Sequence, residues 1–266
     1  MTRTDTLPSP FLCSLAEIAW HAGEIILSHY AAGVEARHKD DHSPVTAADE
    51  EAEEFILARL HKVAPGVPVI AEEEISAGHV REIGARFFLV DPLDGTKEFL
   101  SGNGEFTVNI AEIENGNPIR GVVYAPAKNR LFMGERQGGA FEIDTPRGVL
   151  PDFTRARPIS ARPAPADGLV AVASRSHRDS KTDEYLAAYP VKDFLSAGSS
   201  LKFCLVATGE ADIYPRHGRT MEWDTAAGHA VLAAAGGSVK TIDGRPLVYG
   251  KVEEKFANPF FVARGG

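Results

Sequence analysis

Apolar residues recur at helical spacing over residues 11–30, where Leu12, Leu15, Ala16, Ile18, Ala19, Ala22, Ile25 and Ile26 form one stripe, with Gly33 where a C-terminal cap would stand. This predicts an amphipathic packing helix, with His21 and His29 as surface or boundary residues. A second helix is predicted to begin near Thr46, because Thr46-Ala47-Ala48-Asp49 has the hydroxyl-x-x-acid form of a capping box. Its acids sort by face. Asp49 shares the stripe of Ala52, Ile56, Leu60 and Val63, whereas Glu50, Glu51 and Glu54 fall largely outside it. An acid near a helix start complements the helix dipole, but that does not explain its alignment with the core stripe.

Residues 67–70 read as a short strand running into Glu72-Glu73-Glu74, which is read as a loop whose first acid leaves the sheet edge. Residues 86–90 are rich in β-formers, and Pro92, which cannot donate a ladder hydrogen bond, predicts a strand end at or near Asp91. Residues 105–114 alternate as a strand, Asn115-Gly116-Asn117 supplies a turn, and residues 118–124 return; residues 131–134 and 140–143 extend the meander. Residues 145–167, rich in Pro and Arg, form the linker candidate. Strands at 169–173, near Phe194 and at 212–214 then alternate with helices at 182–189 and 199–208. A last helix spans 225–235, with Asp224 at its start and Gly236-Gly237 at its end. The pattern predicts an α/β protein in two parts: an α+β N-terminal domain over residues 1–150 and an α/β C-terminal domain over residues 151–266.

Composition narrows the functions. With 266 residues, 44% of them hydrophobic, the chain can bury a full core. A net charge of -9 argues against a nucleic-acid groove or an anionic membrane surface as the main partner, while leaving room for a local basic pocket for a small phosphate ligand. Cys13 and Cys204 each lie in an apolar helical pattern and read as buried free thiols in a reducing compartment. The first ten residues have no basic region followed by an apolar run, and no stretch approaches the roughly 18 apolar residues of a membrane span. A soluble cytoplasmic protein is expected, as a monomer or homodimer, with peripheral association at the inner membrane face left open.

The chemistry gathers at Asp91-Pro92-Leu93-Asp94-Gly95-Thr96, where two carboxylates leave a probable core strand together. Asp, Pro and Gly are also common turn residues. Clustered acids near an apolar core are commonly relieved by a cation. Carboxylates of Glu72, Asp91, Asp94 and Asp224, with the Leu93 carbonyl exposed by the turn, suit Mg²⁺, and no His or Cys cluster of zinc type is present. Gly95 and Thr96, followed by a short helical Lys97-Glu98-Phe99-Leu100, offer backbone N–H groups to a phosphate.

Three separated motifs, Glu72-Glu73 after a strand, Asp91-Pro92-Leu93-Asp94-Gly95-Thr96, and Trp223-Asp224-Thr225-Ala226-Ala227-Gly228, resemble the inositol monophosphatase superfamily. Its 3'(2'),5'-bisphosphate nucleotidase branch is resembled more narrowly by Ser43-Pro44-Val45-Thr46-Ala47-Ala48-Asp49, Gly95-Thr96-Lys97-Glu98-Phe99, Asn103-Gly104-Glu105-Phe106-Thr107-Val108-Asn109-Ile110, and the segment from Gly198-Ser199-Ser200 to Ala207. The resemblance implies an αβαβα layered sandwich with the site between its two parts. It implies two or three Mg²⁺ held by Glu72, Asp91, the Leu93 carbonyl, Asp94 and Asp224, and sensitivity to lithium. It also implies that Asp49 and Thr96 orient and activate the attacking water, without a phosphoenzyme. For substrate it implies contacts from Glu72, Leu93, Asp94, Gly95, Thr96 and Asp224, and, for the second phosphate and the nucleoside, His177, Ser199, Lys202 and Arg216. Lys202, three residues after Ser199, can face the same side of a helical turn, and Arg216 offers a planar fork.

The implied reaction is magnesium-dependent release of the 3'-phosphate of adenosine 3',5'-bisphosphate, giving AMP, with 3'-phosphoadenosine 5'-phosphosulfate as a second substrate and sulfur assimilation as the setting. Three other readings remain. An inositol or sugar monophosphatase would share every metal ligand but need no second phosphate site. A haloacid-dehalogenase-like phosphatase would use Asp91 as a covalent nucleophile, although the motif spacing differs by one residue. A non-catalytic nucleotide- or metal-sensing module would not need Asp49 and Thr96.

Overall fold

The computed structural model describes residues 7–32, 37–38, 44–79, 81–174 and 180–266. It begins with α1 (Pro10–Ala32), a short antiparallel pair β1 (Arg37–His38) and β2 (Pro44–Val45), and α2 (Ala47–Val63). The capping box is present: Thr46 Oγ1 accepts from the Ala48 N–H at 3.2 Å, and the Asp49 carboxylate accepts from the Thr46 N–H at 2.7 Å. On α2, Asp49, Ala52, Ile56 and Leu60 are buried as the stripe predicts, while Val63 at its end is exposed. Glu53 is buried as well, four residues after Asp49 on the same face.

A seven-stranded sheet follows in chain order, from β3 (Val69–Ala71), β4 (Arg86–Asp94), β5 (Thr107–Glu114), β6 (Asn117–Ala125), β7 (Arg130–Glu135), β8 (Gly139–Asp144) and β9 (Arg157–Ile159). Only β3 and β4 pair in parallel. Glu72 opens a five-residue helix, α3 (Glu72–Ser76), where a loop is expected, and α4 (Thr96–Leu100) follows β4. β4 also continues past Asp91. Asp91 pairs with Asn109 and Asp94 with Thr107, so three steps on β4 face two on β5. Pro92 lies within this bulge, where its missing N–H interrupts no regular ladder bond.

The second sheet has the order β11-β10-β12-β14-β13, built from β10 (Leu169–Ser174), β11 (Val191–Ala197), β12 (Ile213–Arg216), β13 (Ser238–Thr241) and β14 (Phe261–Arg264). Helices α5 (Ser180–Leu186), α6 (Leu201–Ala207) and α7 (Ala226–Ala234) intervene. The stretch 145–167 is not featureless linker, since its strand β9 joins the edge of the first sheet beyond residue 150.

Strand alternation explains the layers. On β4, Phe88 and Val90 join Val108, Ile110, Val122 and the apolar faces of α1 and α2, whereas Phe87 and Leu89 join Ala111, Val123 and the helices α6 and α7. Both faces of the first sheet are therefore buried. Val170, Val172 and Ala263 bring the second sheet onto the other side of α6 and α7, and its outer face packs Leu169, Ala171 and Ile213 against Leu186 of α5. The result is the αβαβα sandwich. Gly121 and Gly134 let α7 lie close on β6 and β7, since a Cβ on Gly134 would stand 2.9 Å from the Val231 Cα. α1 is long and apolar enough to cross a membrane, contrary to expectation, but its Leu12, Leu15, Ile18, Ile26 and Leu27 are buried in the protein core.

Candidate active site

The β4 bulge, the start of α3, the turn into α6 and the approach to α7 surround a cavity of about 420 Å³. Glu72, Asp91, Leu93, Asp94, Gly95, Thr96, Ser199, Lys202, Arg216 and Asp224 all line it. Residues far apart in the chain thus meet. Asp49 sits behind Thr96, buried at the start of α2. His177 lies outside the described residues.

Two of the acids are held by local backbone. Asp91 Oδ1 accepts from the Leu93 N–H at 3.1 Å, which closes the bulge, and Asp224 Oδ2 accepts from the Met221 N–H at 2.8 Å. Thr225 takes the N-cap position of α7, so Asp224 is not its cap and faces the cavity. Gly95 has φ +92°, a conformation natural to glycine, and a Cβ there would run into Ser199 Oγ. The Asp49 Oδ2 accepts from both N–H and Oγ1–H of Thr46 at 2.7 Å, leaving Oδ1 toward Thr96. Thr96 Oγ1 is 3.4 Å from Asp49 Oδ1 and 3.4 Å from the Leu93 carbonyl, one proton before two acceptors. Such catalytic hydrogen bonds are often long before substrate binds.

The acids repel one another. Burial, and then the charges of Glu72, Asp94, Asp224 and Asp49, push the Asp91 carboxyl well above the usual range; burial, followed by Asp94 and Glu72, does the same to Asp224. Among the described residues no three His, Cys, Asp or Glu side chains are drawn into a closed metal shell. The donor set nevertheless fits a hard divalent cation: it is all oxygen, and it carries the electrostatic strain that such a cation relieves. Glu72, Asp91, Asp94, Asp224 and the Leu93 carbonyl are the atoms able to hold it.

The opposite wall is cationic. Lys202 is buried, with Nζ 5.5 Å from the centre of the Tyr214 ring. Burial lowers it to about 8, with Arg216 adding to the shift and Asp94 opposing it; burial likewise raises Asp94 to about 6 despite the attraction of Lys202. Desolvation outweighs the pairing on both sides. Arg216 lines the same wall; its Nη2 donates to the Arg219 carbonyl at 3.3 Å, and its Nε is buried with no hydrogen-bond partner among the described residues. Ser199, expected to contact phosphate, turns its Oγ to the Asp94 and Glu105 carbonyls, 2.8 Å from each. Its φ of 49° places a non-glycine residue in the left-handed region beside the site.

Sequence reasoning missed several neighbours. Lys97 and Arg219 add cations to the cavity wall, and Thr220 and Thr225 add hydroxyls. Lys97 directly follows Asp91-Pro92-Leu93-Asp94-Gly95-Thr96 and is legible beside it, although no site role is assigned to it from sequence; Arg219 carries no such signal.

The chain matches the inositol monophosphatase family over residues 8–261. It is 46% identical over 252 residues to the 3'(2'),5'-bisphosphate nucleotidase CysQ of Escherichia coli strain K12, covering 94% of this chain and 98% of that one. Among solved structures, CysQ from Bacteroides thetaiotaomicron superposes with a TM-score of 0.79 at 38% identity, covering 95% of this chain and 96% of that one. The inositol monophosphatase from Anabaena superposes with a TM-score of 0.74 at 27% identity, covering 96% and 90%.

Proposed function

The chain belongs to the inositol monophosphatase family, in its 3'(2'),5'-bisphosphate nucleotidase branch, and we propose that it removes the 3'-phosphate of adenosine 3',5'-bisphosphate, giving AMP and phosphate. The observation that carries this reading is one cavity with two chemically opposite walls. Acids that suit Mg²⁺ share the cavity with Lys202 and Arg216, two cations that suit an anion beyond the one at the acids. A monophosphate has no second anionic group to offer them. 3'-Phosphoadenosine 5'-phosphosulfate carries the same 3'-phosphate and is proposed as a second substrate, in the reducing cytoplasm that the free thiols Cys13 and Cys204 suit.

Glu72, Asp91, the Leu93 carbonyl, Asp94 and Asp224 are proposed to hold two or three Mg²⁺. When bound, these ions supply Lewis-acid charge at the transferring phosphoryl group and favour ionisation of water. The protein's own part is orientation and proton handling. The attacking water donates toward Thr96 Oγ1, whose own proton is directed to Asp49 Oδ1, while Thr46 holds the other Asp49 oxygen in place. The water oxygen bonds to phosphorus as the bond to the ribose 3'-oxygen breaks; the proton lost by the water passes through Thr96 to Asp49, and the 3'-oxygen takes a proton from solvent water to leave as the 3'-hydroxyl. Backbone N–H groups at Gly95 and Thr96 position the phosphate. Lys202 and Arg216 grip the 5'-phosphate.

Phosphate release with Mg²⁺ tests the reading on adenosine 3',5'-bisphosphate and inositol 1-phosphate, each with and without lithium. Strong preference for the nucleotide and inhibition by lithium are expected. Preference for inositol 1-phosphate would overturn the substrate assignment and favour a monophosphatase, and a phosphoaspartate trapped at Asp91 would overturn direct water attack.

A further inference from the structure

Along β5, Thr107, Asn109, Ala111 and Ile113 share one face by strand alternation, and Ala111 and Ile113 are in the apolar core between the first sheet and α7. Asn109 is fully buried in that row. An amide there is destabilising unless its hydrogen-bonding groups are matched. They are matched by groups that lead to two of the cavity's acids. Asn109 Nδ2 donates to Asp94 Oδ2 at 3.2 Å and to Ser200 Oγ at 3.1 Å, and its Oδ1 accepts from Thr107 Oγ1 at 3.0 Å. Ser200 Oγ in turn donates to the Asp224 carbonyl at 2.6 Å.

The polarity of this chain is forced. The Ser200 proton is engaged by the Asp224 carbonyl, so Ser200 Oγ must accept from Asn109, and only the amide nitrogen can face both it and a carboxylate. Ser200 is itself buried and enters from the second half of the chain. One side-chain amide therefore joins the Asp94 carboxylate on the first sheet to the backbone of Asp224 before α7. The bulge makes this contact available, because past the regular Asp91–Asn109 pair it sets Asp94, rather than Leu93, opposite Thr107.

We propose that Asn109, acting through Ser200, is a positioning residue that fixes the Asp94 carboxylate relative to Asp224 and so sets the cation affinity of the cavity. The inference rests on the proposed metal role of those two acids. Asn109 touches neither the cavity nor a substrate; it acts by denying Asp94 its alternative rotamers and by linking the two halves at the acids. Leucine, close to asparagine in shape, removes both donors and the acceptor while filling the same space.

The test is calorimetric titration of Mg²⁺ into substrate-free wild-type protein, Asn109→Leu, Ser200→Ala and the double variant, with thermal melts of each. Asn109→Leu is expected to weaken Mg²⁺ binding at least 10-fold and Ser200→Ala at least 3-fold. The double variant should bind as Asn109→Leu does, because the two act as one unit. At saturating Mg²⁺ the KM for the nucleotide should stay within twofold of wild type. Unchanged Mg²⁺ affinity in both single variants, with only lowered melting temperatures, would show a merely structural role and overturn the proposal. So would additive losses in the double variant. Should Asn109→Leu fail to fold, Ser200→Ala decides by the same criterion. A wild-type protein that binds no Mg²⁺ would instead refute the metal reading itself, so the two failures are distinguishable.

Discussion

Asp49→Asn is the most discriminating single change to the proposed proton path. In the wild-type site one carboxylate oxygen accepts two hydrogens from Thr46, at 2.7 Å each, and the other faces Thr96 Oγ1 at 3.4 Å. The asparagine has one acceptor oxygen, which the two Thr46 donors will claim, because the amide NH₂ placed there would meet donors. Its NH₂ is then forced toward Thr96, occupying a lone pair of Oγ1 and turning the Thr96 proton to the Leu93 carbonyl, also 3.4 Å away. The fold keeps its capping box, but Thr96 loses the acceptor for its proton. Loss of positioned general base function corresponds to about 10²–10⁴ in rate, or about 3–5 kcal/mol of barrier at about 1.4 kcal/mol per tenfold. Steady-state phosphate release at saturating Mg²⁺ should show this as a fall in kcat, with KM within a few fold and Mg²⁺ affinity little changed. A kcat within threefold of wild type would refute the path through Thr96 and Asp49. Equal loss through KM alone would move Asp49 to substrate binding.

Lys202→Met should raise the KM for adenosine 3',5'-bisphosphate by at least tenfold while leaving inositol 1-phosphate turnover nearly unchanged; a uniform loss on both substrates would contradict its assignment to the second phosphate. His229 is buried on α7, with Nδ1 3.0 Å from Tyr249 Oη, and burial lowers its pKa from 6.5 to about 4. The unfolded chain therefore binds a proton that the folded chain refuses between about pH 6.5 and 4, so this residue's contribution is fully present above pH 6.5 and is lost as pH falls through that window, by up to about 3 kcal/mol. His229→Asn should flatten the stability profile over that range in denaturant titrations, and an unchanged slope would show that His229 is not its source. Gly134→Ala places a Cβ 2.9 Å from the Val231 Cα and should destabilise the protein by about 1–3 kcal/mol in urea unfolding; a neutral result would mean that α7 can move off the sheet.

The acids of the site were legible because each sits at a place the pattern marks. Asp91 and Asp94 end an apolar strand, Glu72 follows one, and Asp224 precedes a helix whose start is signalled by composition. Asp49 was legible by face alone, since helical spacing put an acid on an apolar stripe, and its burial bears this out. Its partner was not legible that way. Thr96 is 47 residues away, and only a resemblance or a folded chain joins them. Glu53 shares the face of Asp49 one helical turn on and could have been found by the same spacing; its carboxylate accepts from the Glu73 and Glu74 N–H groups at 2.8 Å each, at the start of α3. Among the strands the pattern does not predict, β13 and β14 are four residues each and gain their pairing from the sheet they complete, so local alternation carries little trace of them.

Asn109 shows why the rest resists reading. A polar residue alternating with apolar ones normally marks the solvent face of a strand, but both faces of the first sheet are covered here, one by α1 and α2 and the other by α6 and α7. Polar residues at alternate positions then have no water to face and must be matched within the protein. Alternation along β5 decides which way Asn109 points, but whether its amide meets Asp94 depends on the bulge at Pro92, which shifts the register by one residue between Asp91 and Asp94. The same bulge that brings two acids into the cavity brings the amide under one of them. A straight β4, ending at Asp91 as composition alone suggests, would leave Asp94 off the strand and without its buried donor.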